Sequence, residues 1–83
     1  MLSVQFFTRA DCELCHSAWN VLMRVRKKIP FAVEKFDIDS NPIYAQLYGD
    51  VIPVVTCNDI EIARSFVEEK ALFSALESLS SRS

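Results

Sequence analysis

Apolar and polar positions change period several times along the chain, and each change marks an element. Residues 2–8 are short, aromatic and β-branched, with Leu2, Val4, Phe6 and Phe7 as the apolar run, which is the composition of a buried strand. From Glu13 to about Lys28 the apolar positions Leu14, Ala18, Val21, Leu22, Val25 and Ile29 follow helical spacing. Arg24, Arg26, Lys27 and Lys28 collect at the end of that helix, where the macrodipole is negative, and Pro30 helps to stop it. Phe31 to Ile38, with Phe31, Val33, Phe36 and Ile38 as its apolar positions, predicts a second strand. A helix joining two strands of this length implies a parallel crossover.

Asp39-Ser40-Asn41-Pro42 is a helix-start signal, a polar cap followed by a proline whose missing N–H costs little in the first turn. The short helix it opens runs to about Tyr48, and Gly49 suits a left-handed position ending it. Val51 to Cys57 predicts a strand entered through Pro53. Asn58-Asp59 then has the composition of a tight hairpin turn into Ile60-Glu61-Ile62-Ala63. A final helix from about Val67 to Leu79 carries Ala71, Leu72, Ala75, Leu76 and Leu79 on one face, and residues 80–83 form a polar tail expected to fray. The whole chain, 1–83, is expected to be one α/β domain of order β-α-β-α-β-β-α.

Composition narrows the chemistry. The chain of 83 residues is 51% hydrophobic and 24% charged, ordinary for a folded domain with one modest core. A net charge of −2 gives no pull toward nucleic acid or an anionic membrane. Gln5, Thr8, Arg9 and Asp11 interrupt the opening apolar run. That pattern fits neither a leader nor a spanning helix and points to a cytoplasmic chain. Three cysteines are an odd count for a disulfide scaffold.

Two of them, Cys12 and Cys15, fall where the first strand hands over to the first helix. A helix start offers unpaired N–H groups and a positive dipole end, both favouring thiolate over thiol, so Cys12 is the candidate nucleophile. Cys15 lies one turn on, placed to attack a mixed disulfide at Cys12 and release the partner. Strand, C-x-x-C, helix therefore reads as a redox site. Asp11 and Glu13 set negative charge beside the sulfur and oppose the dipole and Arg9, so Cys12 is expected to be only moderately acidic.

Other readings of these thiols are weaker. Cys12-Glu13-Leu14-Cys15-His16 matches the haem-attachment pattern C-x-x-C-H, yet only Met1 and Met23 are available as thioether ligands and the α/β pattern does not suit a small cytochrome. Zinc held by Cys12, Cys15, Cys57 and His16 is hindered because His16 directly follows Cys15, and there is no second C-x-x-C. No metal is expected. His16 is read as a helix residue that tunes Cys15 or does nothing, and Cys57 as a small buried hydrophobe. Trp19, Phe31, Phe36, Phe66 and Phe73 are assigned to the core or its edge. Tyr44 and Tyr48, one turn apart, either border a groove or pack in the core.

The element order, the C-x-x-C after the first strand and Ile52-Pro53 opening the third together resemble the thioredoxin fold. The length makes the chain similar to compact glutaredoxin-like proteins, over essentially residues 2–79. That resemblance implies a mixed four-stranded sheet flanked by helices. It also implies a cis peptide bond before Pro53, lying against the active-site disulfide, with the Ile52 backbone pairing with extended substrate or with glutathione. Arg9 matches a lysine that in glutaredoxins neutralises a glutathione carboxylate or the thiolate; the alternative is a surface arginine at a strand end. Leu14 and Glu13 replace the tyrosine and proline of the family's C-P-Y-C, and Arg64-Ser65-Phe66-Val67-Glu68 lacks its Gly-Gly-x-Asp segment.

The resulting expectation is a monomeric thiol–disulfide oxidoreductase without a tightly bound cofactor, reducing protein or glutathione mixed disulfides. Its potential is expected nearer thioredoxin than the strongly oxidising enzymes. Glutathione is the candidate co-substrate, and glutathione or a thioredoxin-type reductase the donor. The alternative is a non-catalytic or redox-regulated binding module that uses the Pro53 groove for protein recognition.

Overall fold

Alternation along the first strand sorts its side chains between two faces of a sheet, and the helices follow from that division. A computed structural model describes residues 2–82, with side chains to Ser80. In order the elements are β1 (Leu2–Thr8), α1 (Glu13–Arg26), β2 (Phe31–Asp37), a single 3₁₀ turn (Ile38–Ser40), α2 (Pro42–Tyr48), β3 (Val54–Cys57), β4 (Ile60–Arg64) and α3 (Glu69–Arg82). The four-stranded sheet has the order β2-β1-β3-β4, with β1 parallel to β2 and antiparallel to β3, and β4 antiparallel to β3. This is the mixed sheet expected of a thioredoxin-like fold.

Leu2, Val4 and Phe6 point to one face, where Ala18, Leu22 and Val25 of α1 and Leu72 and Leu76 of α3 close the main core. Phe7 points to the other, into a smaller cluster with Ile38 and Val54. Among the described residues, the α-helix packed on that second face is α2. At about 1.5 Å per residue, a seven-residue helix spans roughly 10 Å, so Phe7 is buried while Ser3 is exposed. Tyr44 and Tyr48 pack on Phe7, with ring centroids 5.1 and 4.6 Å away. Both are half-buried and pack against this smaller cluster.

Local signals explain the element ends. Asn41 Oδ1 accepts the Ile43 N–H at 2.9 Å, with Pro42 in the first turn of α2. Asn58 and Asp59 both have positive φ, 54° and 63°, the conformation that a two-residue turn of type I′ requires. Val67 and Leu72 lie in the same core cluster on either side of the α3 start, a hydrophobic staple that fixes its entry.

Four expectations change. Gly49 ends α2 with φ −51°, right-handed; a Cβ there would stand 2.5 Å from the Ala45 carbonyl oxygen, so close approach and not a left-handed cap calls for glycine. Strand β3 begins at Val54 because the Val51 N–H bonds the Tyr48 carbonyl, and the Val51 and Pro53 carbonyls both accept the Ser65 N–H. Helix α3 starts at Glu69 and continues through Arg82, so the tail expected at 80–83 is helical as far as Arg82, and Ser83 lies outside the described residues. Phe66, assigned to the core or its edge, is 71% exposed. Ser65 takes φ 63° and the Phe66 N–H turns back to the Arg64 carbonyl at 2.6 Å, which swings the ring out of the sheet edge.

Cys57 faces the main core, paired with Val4, with no exposed surface. Burial pushes its thiol pKa up, only partly offset by a backbone hydrogen bond at Ser3. A raised thiol pKa favours the folded state below the ordinary thiol range, and that contribution is lost as pH rises through the folded value. After reduction of the protein, iodoacetamide is expected to label Cys57 only on unfolding, and mass-spectrometric detection of its adduct in native protein would contradict this.

Candidate functional site

The strand register gathers the site at one end of the sheet. Phe7 pairs with Phe36 on β2 and Val54 on β3, and Val54 pairs with Arg64 on β4. Beyond that row lie the segment from Thr8 to Cys12, Asp37, the Ile52–Pro53 bond, which is cis, and Ser65–Phe66. Cys57, three positions along β3 from Val54, lies toward the opposite end of the strand.

Cys12 is the N-cap of α1. Its extended backbone, φ −122° and ψ 107°, lets Sγ turn back and accept the Cys15 N–H at 3.1 Å, the role usually taken by a serine or aspartate oxygen. The Cys12 carbonyl accepts the His16 N–H at 3.2 Å, starting the helix. Cys12 and Cys15 are paired as a disulfide, with Cα atoms 5.1 Å apart. Cys15 is only 3% exposed, whereas Cys12 is partly open to solvent. A partner arriving from outside therefore meets the Cys12 sulfur first.

On the β2 side the disulfide forms one wall of a cavity of about 360 Å³, lined also by Phe6, Arg9, His16, Trp19, Lys35 and Asp37. Trp19 contributes apolar surface, backed by the buried Phe6, with ring centroids 5.4 Å apart and planes tilted by 58°. Lys35 Nζ stands 4.9 Å over the Trp19 ring. Arg9 Nε donates to both carboxylate oxygens of Asp39 at 3.1 Å, and that carboxylate holds the guanidinium more firmly protonated. Asp37 Oδ1 in turn accepts the Asp39 N–H at 2.9 Å. Arg9 thus reaches the cavity beside the thiols with its Nε already committed to Asp39.

Asp11, Glu13 and His16 are exposed and, with Cys12, border a shallower concavity on the outer side. Pro53 is buried and Ile52 half-buried, packed against both apolar clusters. Cys12, Cys15, Arg9, Asp11, Glu13, His16, Ile52 and Pro53 thus lie at this end of the sheet, and Cys57 does not. Trp19, Lys35, Asp37 and Asp39 were not singled out, although Trp19 is four residues after Cys15 on the same helical face, a spacing that points to it. Arg9 and Asp39 are 30 residues apart, and neither position alone signals the pair. Among the described residues, no group of three or more His, Cys, Asp or Glu is placed to hold a metal ion, and no helix is long and apolar enough to cross a membrane.

The sequence matches the family described as Glutaredoxin-like domain (DUF836) over residues 3–77. A glutaredoxin-like protein of Dictyostelium discoideum is 30% identical, the alignment covering 94% of this chain and 78% of that protein. Among solved structures, protein Ne2328 from Nitrosomonas europaea superposes with a TM-score of 0.79 at 27% identity, over 90% of this chain and 91% of that one. Thioredoxin O2 from Arabidopsis thaliana, in its oxidized state, superposes with a TM-score of 0.68 at 29% identity, over 95% and 75% of the two chains.

Proposed function

The chain belongs to the glutaredoxin-like domain family, and from that premise we propose that it is a thiol–disulfide oxidoreductase acting through Cys12 and Cys15. The observation that carries this reading is the unequal setting of the two sulfurs. Cys12 is partly exposed at the positive end of α1 with an N–H donor on its sulfur, while Cys15 is buried one turn behind it. In the reduced protein that donor and the dipole favour the Cys12 thiolate.

The thiolate attacks one sulfur of a partner disulfide, forming a Cys12–partner bond and expelling the other partner sulfur, which takes a proton. Cys15, as thiolate, then attacks the Cys12 sulfur. The Cys12–Cys15 bond closes and the second partner thiol leaves. The partner gains two electrons and two protons, and this chain ends as the disulfide. A thiol donor, glutathione or a thioredoxin-type reductase, returns the electrons.

During the mixed-disulfide stage the partner backbone pairs with Ile52, whose amide and carbonyl make no hydrogen bond among the described residues. Asp11 and Glu13 keep the thiolate only moderately stabilised, so the dithiol acts as a reductant nearer thioredoxin than the oxidising enzymes. Reduction of a protein disulfide is measured with glutathione plus glutathione reductase, and separately with thioredoxin reductase, as donor. Turnover with one of them is expected. No turnover with either would leave the binding-module reading, in which the same groove recognises a protein without catalysis.

A further inference from the structure

Phe66 is the most exposed large apolar residue of those described, 71% open to solvent, ahead of Ile43 at 64% and Leu47 at 61%. Its position is built, not left over. Ser65 occupies a positive φ of 63°, which non-glycine residues adopt rarely. Its N–H is shared between the Val51 and Pro53 carbonyls at 2.9 and 2.8 Å, and its hydroxyl faces the Val51 carbonyl at 3.4 Å. The corner presenting Phe66 is therefore tied directly to the segment holding Ile52 and Pro53. Strained positions kept in place by surrounding bonds cluster at functional sites.

Register places this corner relative to the thiols. Phe66 follows the β4 end, two inter-strand spacings from β1, and so roughly 10 Å across the sheet from the strand that delivers Cys12. Leu14, between the two half-cystines, is 51% exposed. The end of the sheet that holds Cys12 and Pro53 thus carries exposed apolar side chains at the start of α1 and after β4. Beside Cys12 stand the exposed acids Asp11 and Glu13, while Arg9, paired with Asp39, and Lys35 line the cavity on the β2 side. On the β4 side, at the opposite sheet edge from those cations, the acids beside Cys12 disfavour an anionic peptide and favour an uncharged or apolar chain.

Resting on the oxidoreductase reading, we propose that Phe66 is a specificity-determining residue, selecting extended polypeptide disulfides with an apolar side chain beside the half-cystine. Two peptide disulfides differing only in that neighbour, leucine or aspartate, are the probes. Wild type is expected to favour the leucine peptide in kcat/KM, and Phe66→Ala to lower the leucine-to-aspartate ratio about tenfold, the scale of a lost apolar contact. Phe66→Leu should restore most of it. Because the ring is exposed, both variants should melt near wild type, which is checked by circular dichroism.

The same peptides, with serine replacing cysteine, are also titrated by calorimetry onto the oxidised protein. A preference for leucine that weakens in Phe66→Ala supports the proposal even if no variant turns over, in which case the catalytic reading alone falls. An unchanged ratio in Phe66→Ala, or wild-type indifference to the neighbour in both measurements, would overturn it.

Discussion

Cys12→Ser is expected to lower disulfide reduction by at least about a thousandfold, the scale of losing the nucleophile of a covalent mechanism. A serine hydroxyl keeps the helix cap but cannot form the thiolate or a mixed disulfide. The substitution therefore separates structure from chemistry, since an oxygen at the N-cap still accepts the N–H that Sγ now takes at 3.1 Å. Cys15→Ser should behave differently. Its partner stays bonded to Cys12 because the resolving thiol is gone, so incubation with a peptide disulfide leaves one peptide covalently attached. Intact-mass measurement reads the adduct, and reduction by dithiothreitol removes it. More than a tenth of wild-type turnover in Cys12→Ser, or an adduct mapped to Cys57, would sink the assignment.

Much of this site was legible because its signals are local. The strand before Cys12, the helix after Cys15 and the Asn41-Pro42 cap each depend on residues within a few positions. Asn58-Asp59 declares its turn in the same way, since both residues tolerate positive φ. The misread positions depend on contacts distant in sequence. The spacing of Phe66 suits the core or its edge, and Ser65 gives no warning of its positive φ, as a glycine would. Its conformation is held by carbonyls of Val51 and Pro53, twelve to fourteen residues earlier. The same two carbonyls shorten β3, so one unread contact accounts for both discrepancies. Gly49 was found for the wrong reason. Its neighbour is the Ala45 carbonyl within the same turn, a steric demand that composition does not distinguish from a left-handed cap.

Phe6→Ala should produce the largest loss of stability, about 3–5 kcal/mol, the usual cost of emptying a fully buried phenylalanine site. Phe6 has no exposed surface and sits on a central strand, opposite Lys35 of β2 and Val55 of β3. Neither neighbouring strand can close the gap without breaking its ladder, so collapse around the cavity should be limited. The tilted contact with Trp19 is lost as well, and such pairs add roughly 0.5–1.5 kcal/mol beyond area burial. Against a total of about 5–15 kcal/mol for a domain, this is a large fraction, and for a domain of this size it lowers Tm by roughly 15 °C or more. Urea unfolding followed by circular dichroism provides the measurement, with Ile43→Ala, at an exposed position, expected within about 0.5 kcal/mol of wild type. A Phe6→Ala loss below about 1 kcal/mol would mean that the ring does not anchor the wall behind the thiols. The expected result ties site to core: Phe6 lines the same cavity as Cys12, Cys15 and Trp19, so the packing that holds the sheet together also holds the helix start that positions the nucleophile.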